Sequence, residues 1–294
     1  VLAKPGGMWQ GAPAMKKLGN WRRATFAALL GLALVFMLLR WFENSQVYHP
    51  GRTMDASGAE LKRPFENVFF KSTDGVELNG WFYPADPNST HAKIAMLVCH
   101  GNAGNISDRL ELYRPLLDAG AAVFAFDYRG FGLSKGRPSE EGTYRDAQAA
   151  YQWLRQKGFA GSNIIAYGES LGGGIASELC LREETGGLIL QSTFTSIPDV
   201  GAELYPWLPV KLISTIKYDT HSKLPKLKIP VLVMHSRDDN VIEFGHSQRN
   251  LAAANEPKFF CELTGEHNGG VWSLPEFREA IEKFLNVVQE PKQW

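Results

Sequence analysis

The stretch "AYGESLGGG", residues 166–174, sets one serine among small residues, directly after the apolar "NII" of residues 163–165. Glycine loses the most backbone freedom on ordering, so a cluster of glycines marks a turn that needs unusual dihedrals or leaves no room for side chains. Upstream, "NIIAYG" reads as a buried strand; downstream, "LGGGIASELC" reads as a helix. Gly168-Glu169-Ser170-Leu171-Gly172 is therefore G-x-S-x-G at a strand-to-helix junction, the setting in which that pattern carries chemistry. Such a turn strains the serine and lifts its hydroxyl above the sheet edge. The backbone N–H of Leu171 then heads the helix and offers a donor, with the positive dipole end behind it, to an oxyanion.

A serine hydroxyl is a weak nucleophile at neutral pH and needs a histidine base held by a carboxylate. Of the seven histidines, His267 in "LTGEHNGG" follows the last strand pattern, on a loop from which a base can reach Ser170. His49 and His91 fall in linker or turn segments, His221 in a polar segment, His235 near a strand end and His246 in a helical pattern. His100 precedes Gly101 and reads as part of a backbone turn. The acid is expected after the penultimate strand, in "PVLVMHSRDDNVIEF", where Asp238 and Asp239 both qualify on chemistry alone. The chain order serine, acid, histidine then holds.

From Phe65 onward two periods alternate. "NVFFKS" and "VELNGWFY" flank Thr73-Asp74-Gly75, a hairpin signal. Continuous apolar runs follow at 93–100, 121–128, 163–168, 187–193, 230–236 and 258–264, suited to parallel strands covered on both faces. Helical patterns lie between them; in one, Tyr144, Ala147, Tyr151 and Leu154 recur three and four apart. The expected fold class is α/β, a mostly parallel, doubly wound sheet with helices on both faces, whose site forms beyond the carboxyl ends of the strands.

The 294 residues balance 31 Lys+Arg against 31 Asp+Glu, so no global field favours nucleic acid or a strongly charged substrate. Cys99, Cys180 and Cys261 are too scattered for a disulfide framework or a metal site and read as buried small hydrophobes. P-loop, dinucleotide and zinc spacings are absent, and no cofactor or metal is expected.

The amino-terminal part differs. "ATFAALLGLALVFMLL", from Ala24 to Leu39, carries no charge and is apolar all round, unlike a core helix. With Trp21, Trp41 and Phe42 at its ends it reaches the roughly 20 residues that cross a bilayer. A cleavable signal peptide is the competing reading, although "RWFENSQ" offers no small-x-small site. Lys16, Lys17, Arg22 and Arg23 precede the segment, which sets the amino terminus in the cytoplasm and the rest of the chain outside it. The expected organisation is a flexible segment at 1–20, a transmembrane anchor at 21–42, a linker at 43–64 and a catalytic domain at 65–294.

"HGNAGN" (100–105), "FDYRGFGLSKGRPSEEG" (126–142), "YGESLGGG" (167–174), "HSRDDNVI" (235–242) and "GEHN" (265–268) together resemble the α/β-hydrolase superfamily. Within it they resemble membrane-anchored serine hydrolases, relatives of protein depalmitoylases and bacterial esterases. The resemblance covers about residues 65–289. It implies Ser170 as nucleophile, His267 as base and, four residues after the strand-end histidine, Asp239 as the acid; Ser236 stands where the family commonly has glycine. It also implies a second oxyanion donor, the backbone N–H of Asn102, with little demand on the Asn side chain. Asp127, Tyr128 and Arg129 read as residues that hold a loop beside the site.

The expected reaction is ester hydrolysis through an acyl-enzyme, by a carboxylesterase, lipase-like enzyme or thioesterase. A peptidase or amidase on the same triad is one alternative, and a non-catalytic membrane-tethered binding protein is another. Lids in this superfamily lie between the strands at 187–193 and 230–236; here residues 194–229 allow two short helices. Tyr205, Trp207, Leu208, Val210, Leu212 and Ile213 within them line an acyl pocket or a membrane-facing lip, or pack against the sheet. A short lid beside an anchor suits short-chain or lipid-like esters. Oligomeric state is not legible.

Overall fold

The computed structural model describes residues 14–290. Residues 1–13 of the segment expected to be flexible lie outside the described residues. The chain divides after Gln46 into two compact units. In the first, helix α1 spans Ala14–Val47, and its part Trp21–Val47 has a window of mean hydropathy 2.0 with no residue buried. It is long and apolar enough to cross a membrane. The helix runs several residues past each end of the expected span.

The second unit is built on an eight-stranded sheet. Its strands are β1 (Glu66–Lys71), β2 (Glu77–Tyr83), β3 (Ala95–Cys99), β4 (Ala122–Phe126), β5 (Ile164–Glu169), β6 (Gly187–Gln191), β7 (Val231–Ser236) and β8 (Lys258–Leu263). The spatial order is β8-β7-β6-β5-β3-β4-β2-β1. All neighbours are parallel except β1 with β2 and β2 with β4, which are antiparallel. The hairpin at Thr73-Asp74-Gly75 closes as its sequence demands, with Gly75 at φ 83°.

Helices α2 (Leu110–Asp118), α3 (Glu140–Gln156), α4 (Leu171–Arg182), α5 (Ile197–Leu204), α6 (Val210–Ile213), α7 (Phe244–Ala253) and α8 (Pro275–Gln289) complete the unit. Two hydrophobic layers sandwich the sheet: Ala147, Leu154, Ile175 and Leu179 of α3 and α4 on one face, Leu112, Leu116, Phe277 and Ile281 of α2 and α8 on the other. Each fully buried aliphatic or aromatic side chain contributes about 1.5–3 kcal/mol. Tyr144, Ala147, Tyr151 and Leu154, the stripe spaced three and four apart, are all buried.

β8 departs from the reading of a strand covered on both faces. It is the sheet's edge, and Phe259 and Phe260 remain partly exposed, because among the described residues no further strand pairs beyond it to complete the layer. The segment between β6 and β7 forms the short cap, two short helices, α5 and α6. Residues after Val47, expected as a linker, lie against the sheet unit: Tyr48 and Leu61 are buried, and His49–Pro50 form a short parallel bridge with Ala103–Gly104.

Chain direction across the sheet reverses between β3 and β5. β3 continues through α2 to β4 on one side, and β4 returns through α3 to β5 on the other. Their carboxyl ends lie side by side, Cys99 opposite Gly168. Such a switch point opens a crevice above the sheet.

Candidate active site

Ser170 leaves β5 at φ 51°, ψ −115°, outside the regions a side-chain-bearing residue normally adopts, and α4 starts at the next residue. That conformation costs on the order of 1–3 kcal/mol and persists only where the surroundings fix it. The glycines make it feasible. A Cβ on Gly168 would stand 2.5 Å from the Gly172 carbonyl oxygen, and one on Gly172 would collide with the Cys99 carbonyl at the end of β3. The turn is tied down by the Ser170 N–H donating to the Gln191 carbonyl at 2.9 Å and by the Thr193 hydroxyl donating to the Ser170 carbonyl. Leu171, the first residue of α4, has no residue in the preceding turn of its helix to receive its N–H.

His267, on the loop after β8, brings Nε2 to 3.2 Å from Ser170 Oγ and Nδ1 to 2.8 Å from Asp239 Oδ2. The carboxylate accepts, so Nδ1 carries the proton and Nε2 is free to accept from the serine hydroxyl. Of the two adjacent aspartates, Asp239 is the one the fold turns inward: its side chain is fully buried, whereas Asp238 is exposed. The other oxygen, Oδ1, accepts the Val241 and Ile242 amides at 2.9 and 2.8 Å. His235, buried at the end of β7, donates Nε2–H to the Ile242 carbonyl at 2.9 Å and stands 3.3 Å from Asp239 Oδ2.

Burial works to raise the Asp239 pKa, but the hydrogen bonds from His235, His267 and the Ile242 amide outweigh it and hold the carboxyl below the ordinary carboxylate range. Ser236, the departure from the family's glycine, joins the two loops: its hydroxyl donates to the Gly265 carbonyl and accepts the Asp238 amide.

Across the crevice, the turn after β3 holds the Asn102 amide. His100 Nδ1–H donates to the Gly101 carbonyl at 2.7 Å, and a trans peptide directs the Asn102 N–H the opposite way. His100 Nε2 lies 3.4 Å from Asp127 Oδ1, a fully buried carboxyl whose pKa burial pushes up against the lowering effect of His100. Tyr128 donates its hydroxyl to the His100 carbonyl at 2.8 Å. Arg129 is bound to Asp146 at 2.8 Å and Asp74 at 2.7 Å, so the three residues read as loop holders do hold that loop.

Two further side chains, Glu169 and His235, support the site. Glu169, next to the serine, is buried and 3.4 Å from Arg109 Nε, while Arg109 Nη2 donates to the Ala103 carbonyl at 2.9 Å. An ion pair between α2's leading edge and the x position of G-x-S-x-G has no sequence signature. His235 serves the sequence only as the landmark four residues before Asp239; that its ring stands against that carboxylate follows from the fold. No group of side chains suited to a metal occurs among the described residues.

Of the cap's apolar residues, Val210 is buried, whereas Trp207 and Leu212 are 78% and 86% exposed, so packing against the sheet does not account for them.

A family model described as serine aminopeptidase, S33, matches residues 90–220, a span that includes Ser170 and stops before Asp239. The chain is 36% identical over 232 residues to the uncharacterized protein Rv2307c of Mycobacterium tuberculosis, covering 79% of this chain and 82% of that one. It is 31% identical over 260 residues to the alpha/beta hydrolase domain-containing protein WAV2 of Arabidopsis thaliana, covering 80% and 84%. It is also 31% identical over 282 residues to the lysophosphatidylserine lipase ABHD12 of Danio rerio, covering 78% and 73%. Among solved structures, the Pyrococcus furiosus esterase Pf2001 superposes with a TM-score of 0.65 at 21% identity, covering 82% of this chain and 97% of that one.

Proposed function

Because this chain belongs to the α/β-hydrolase superfamily, we propose that it is a serine hydrolase of carboxylic esters, lipid-like esters among them. The observation that carries this reading is His267 standing between Ser170 and Asp239, at 3.2 and 2.8 Å, with Ser170 at the strained turn. In the proposed mechanism His267 Nε2 takes the Ser170 proton as Oγ attacks the ester carbonyl carbon. Asp239 keeps the ring oriented and stabilises the imidazolium. The N–H groups of Leu171 and Asn102 receive the oxyanion; one such donor is typically worth about 10²–10³ in rate. Collapse expels the alcohol, which takes the proton from the imidazolium. A water, deprotonated by His267, then attacks the acyl-enzyme, releasing the carboxylic acid and restoring Ser170.

A lipid-like substrate is supported by the exposed Trp207 and Leu212 on the cap, by the apolar helix α1 and by the lipase named among the relatives. We read α1 as a single-pass, uncleaved anchor with the catalytic unit on the non-cytoplasmic side, because Arg22 and Arg23 precede the apolar run. A second reading, peptide or amide hydrolysis on the same residues, is favoured by the description of the matching family model. Rates on p-nitrophenyl esters from acetate to palmitate, set beside matched aminoacyl p-nitroanilides, separate the two. Esters are expected to lead; faster turnover of the anilides would overturn the ester reading.

A further inference from the structure

Asn102 is held by more than its own loop. Its carbonyl accepts the His49 N–H at 2.9 Å, and its side-chain Nδ2 donates to the Val47 carbonyl at 3.0 Å. The contact continues along the chain. His49 and Pro50 pair in parallel with Ala103 and Gly104, and the Gly51 N–H donates to the Gly104 carbonyl at 2.9 Å. Asn105 Nδ2 donates to the Thr53 carbonyl at 2.6 Å. Residues 47–53, the last residue of helix α1 and the chain that follows it, therefore run alongside the turn 102–105, with His49–Pro50 paired to it as a short strand.

The consequence is geometric. One peptide group, Gly101–Asn102, presents the proposed oxyanion donor, and His100 fixes its carbonyl. What fixes the next peptide is the Val47–His49 backbone, gripping Asn102 by side chain and carbonyl together. A donor must lie about 2.7–3.1 Å from where the oxyanion forms, and small displacements cost rate steeply. A loop rich in glycine needs outside partners to keep such a position, since its own dihedrals are permissive.

Resting on the serine-hydrolase reading above, we propose that the segment 47–51 is a brace for the oxyanion hole, and that the Asn102 side chain is a positioning residue acting through it. The chain emerging from the apolar helix is then part of the catalytic apparatus rather than a tether. This reverses the expectation that the Asn102 side chain matters little.

The test uses the full chain and p-nitrophenyl butyrate, with fluorophosphonate labelling of Ser170 as a second readout. Asn102→Ala is expected to lower kcat about 10- to 100-fold, part of the full worth of an oxyanion donor, with KM within about twofold. His49→Pro removes the N–H that the Asn102 carbonyl accepts and is expected to lower kcat about 3- to 10-fold by the same route. It serves if Asn102→Ala fails to fold. Arg52→Ala, whose guanidinium reaches Ser134 at 3.1 Å instead, is expected to stay within about twofold of the parent. A split in kcat without KM distinguishes positioning from general loosening, which would lower both readouts in step with melting temperature.

If the intact chain hydrolyses the ester and His49→Pro and folded Asn102→Ala keep its kcat, the brace is wrong and the serine-hydrolase reading stands. If the intact chain neither hydrolyses the ester nor labels, both fall. Equal losses in the Arg52 variant would also overturn the brace.

Discussion

Ser170 has two flanks, and they are held by different means. On one, Asp239 and His267 are fixed by side-chain hydrogen bonds and amides drawn from a short span of chain, β7 to the loop after β8. On the other, the Asn102 amide is fixed by main chain from residues 47–51, by His100, and by Arg109 bridging the Ala103 carbonyl to Glu169. The first flank places a charge, and a buried charge requires partners of particular chemical type. The second places a peptide dipole, which any well-registered backbone can brace. Loss of a side chain should therefore be severe on the first flank and moderate on the second.

The sharpest break comes on the acid flank. Asp239→Asn is expected to lower kcat by about 10⁴, because the amide can no longer hold His267 in the tautomer with Nδ1 protonated. Asp238→Asn, one residue away and exposed, should stay within about twofold. Steady-state kinetics on the two variants would check this, and equal losses would mean the inward carboxylate has been misassigned. On the proposed oxyanion flank, Arg109→Ala is expected to cost only about tenfold in kcat, since the brace at 47–51 remains. A loss as large as that of Asp239→Asn would erase the contrast between the flanks.

The smallest effect on rate lies outside both. Hydrogen bonding to Arg129 holds the Asp74 carboxyl down to about 2, from an ordinary 3.8. A depressed carboxylate contributes stability above its unfolded pKa and loses it as pH falls through the folded one. Asp74→Asn should therefore lower the melting temperature at pH 6. The gap to the parent should close between about pH 4 and pH 2, with kcat at pH 7 little changed. Thermal denaturation across that range would check it, and a gap that widened on acidification would reverse the sign.

The same difference explains what could be read in advance. The succession of strands along the chain, the hairpin at Gly75 and the strained turn at Ser170 follow from periodicity and from glycine placement, both local properties of the chain. The acid flank was half legible: chemistry alone left Asp238 and Asp239 level, because only the fold decides which of two neighbours faces inward. Residues 47–53 carry no period of 2 or 3.6 in their pairing and use mostly backbone groups, so they looked like a linker. Nor could the sequence tell that β8, as apolar as its neighbours, would sit at the edge. Backbone pairings between distant residues leave no mark on side-chain identity.

Fluorophosphonate labelling of the intact chain, followed by mapping of the modified peptide, tests the central claim most directly. Covalent modification confined to Ser170, absent in Ser170→Ala and strongly slowed in Asp239→Asn, is the result expected if Ser170 is the activated nucleophile. Absence of labelling on a folded chain, or labelling that persists in Ser170→Ala, would contradict it.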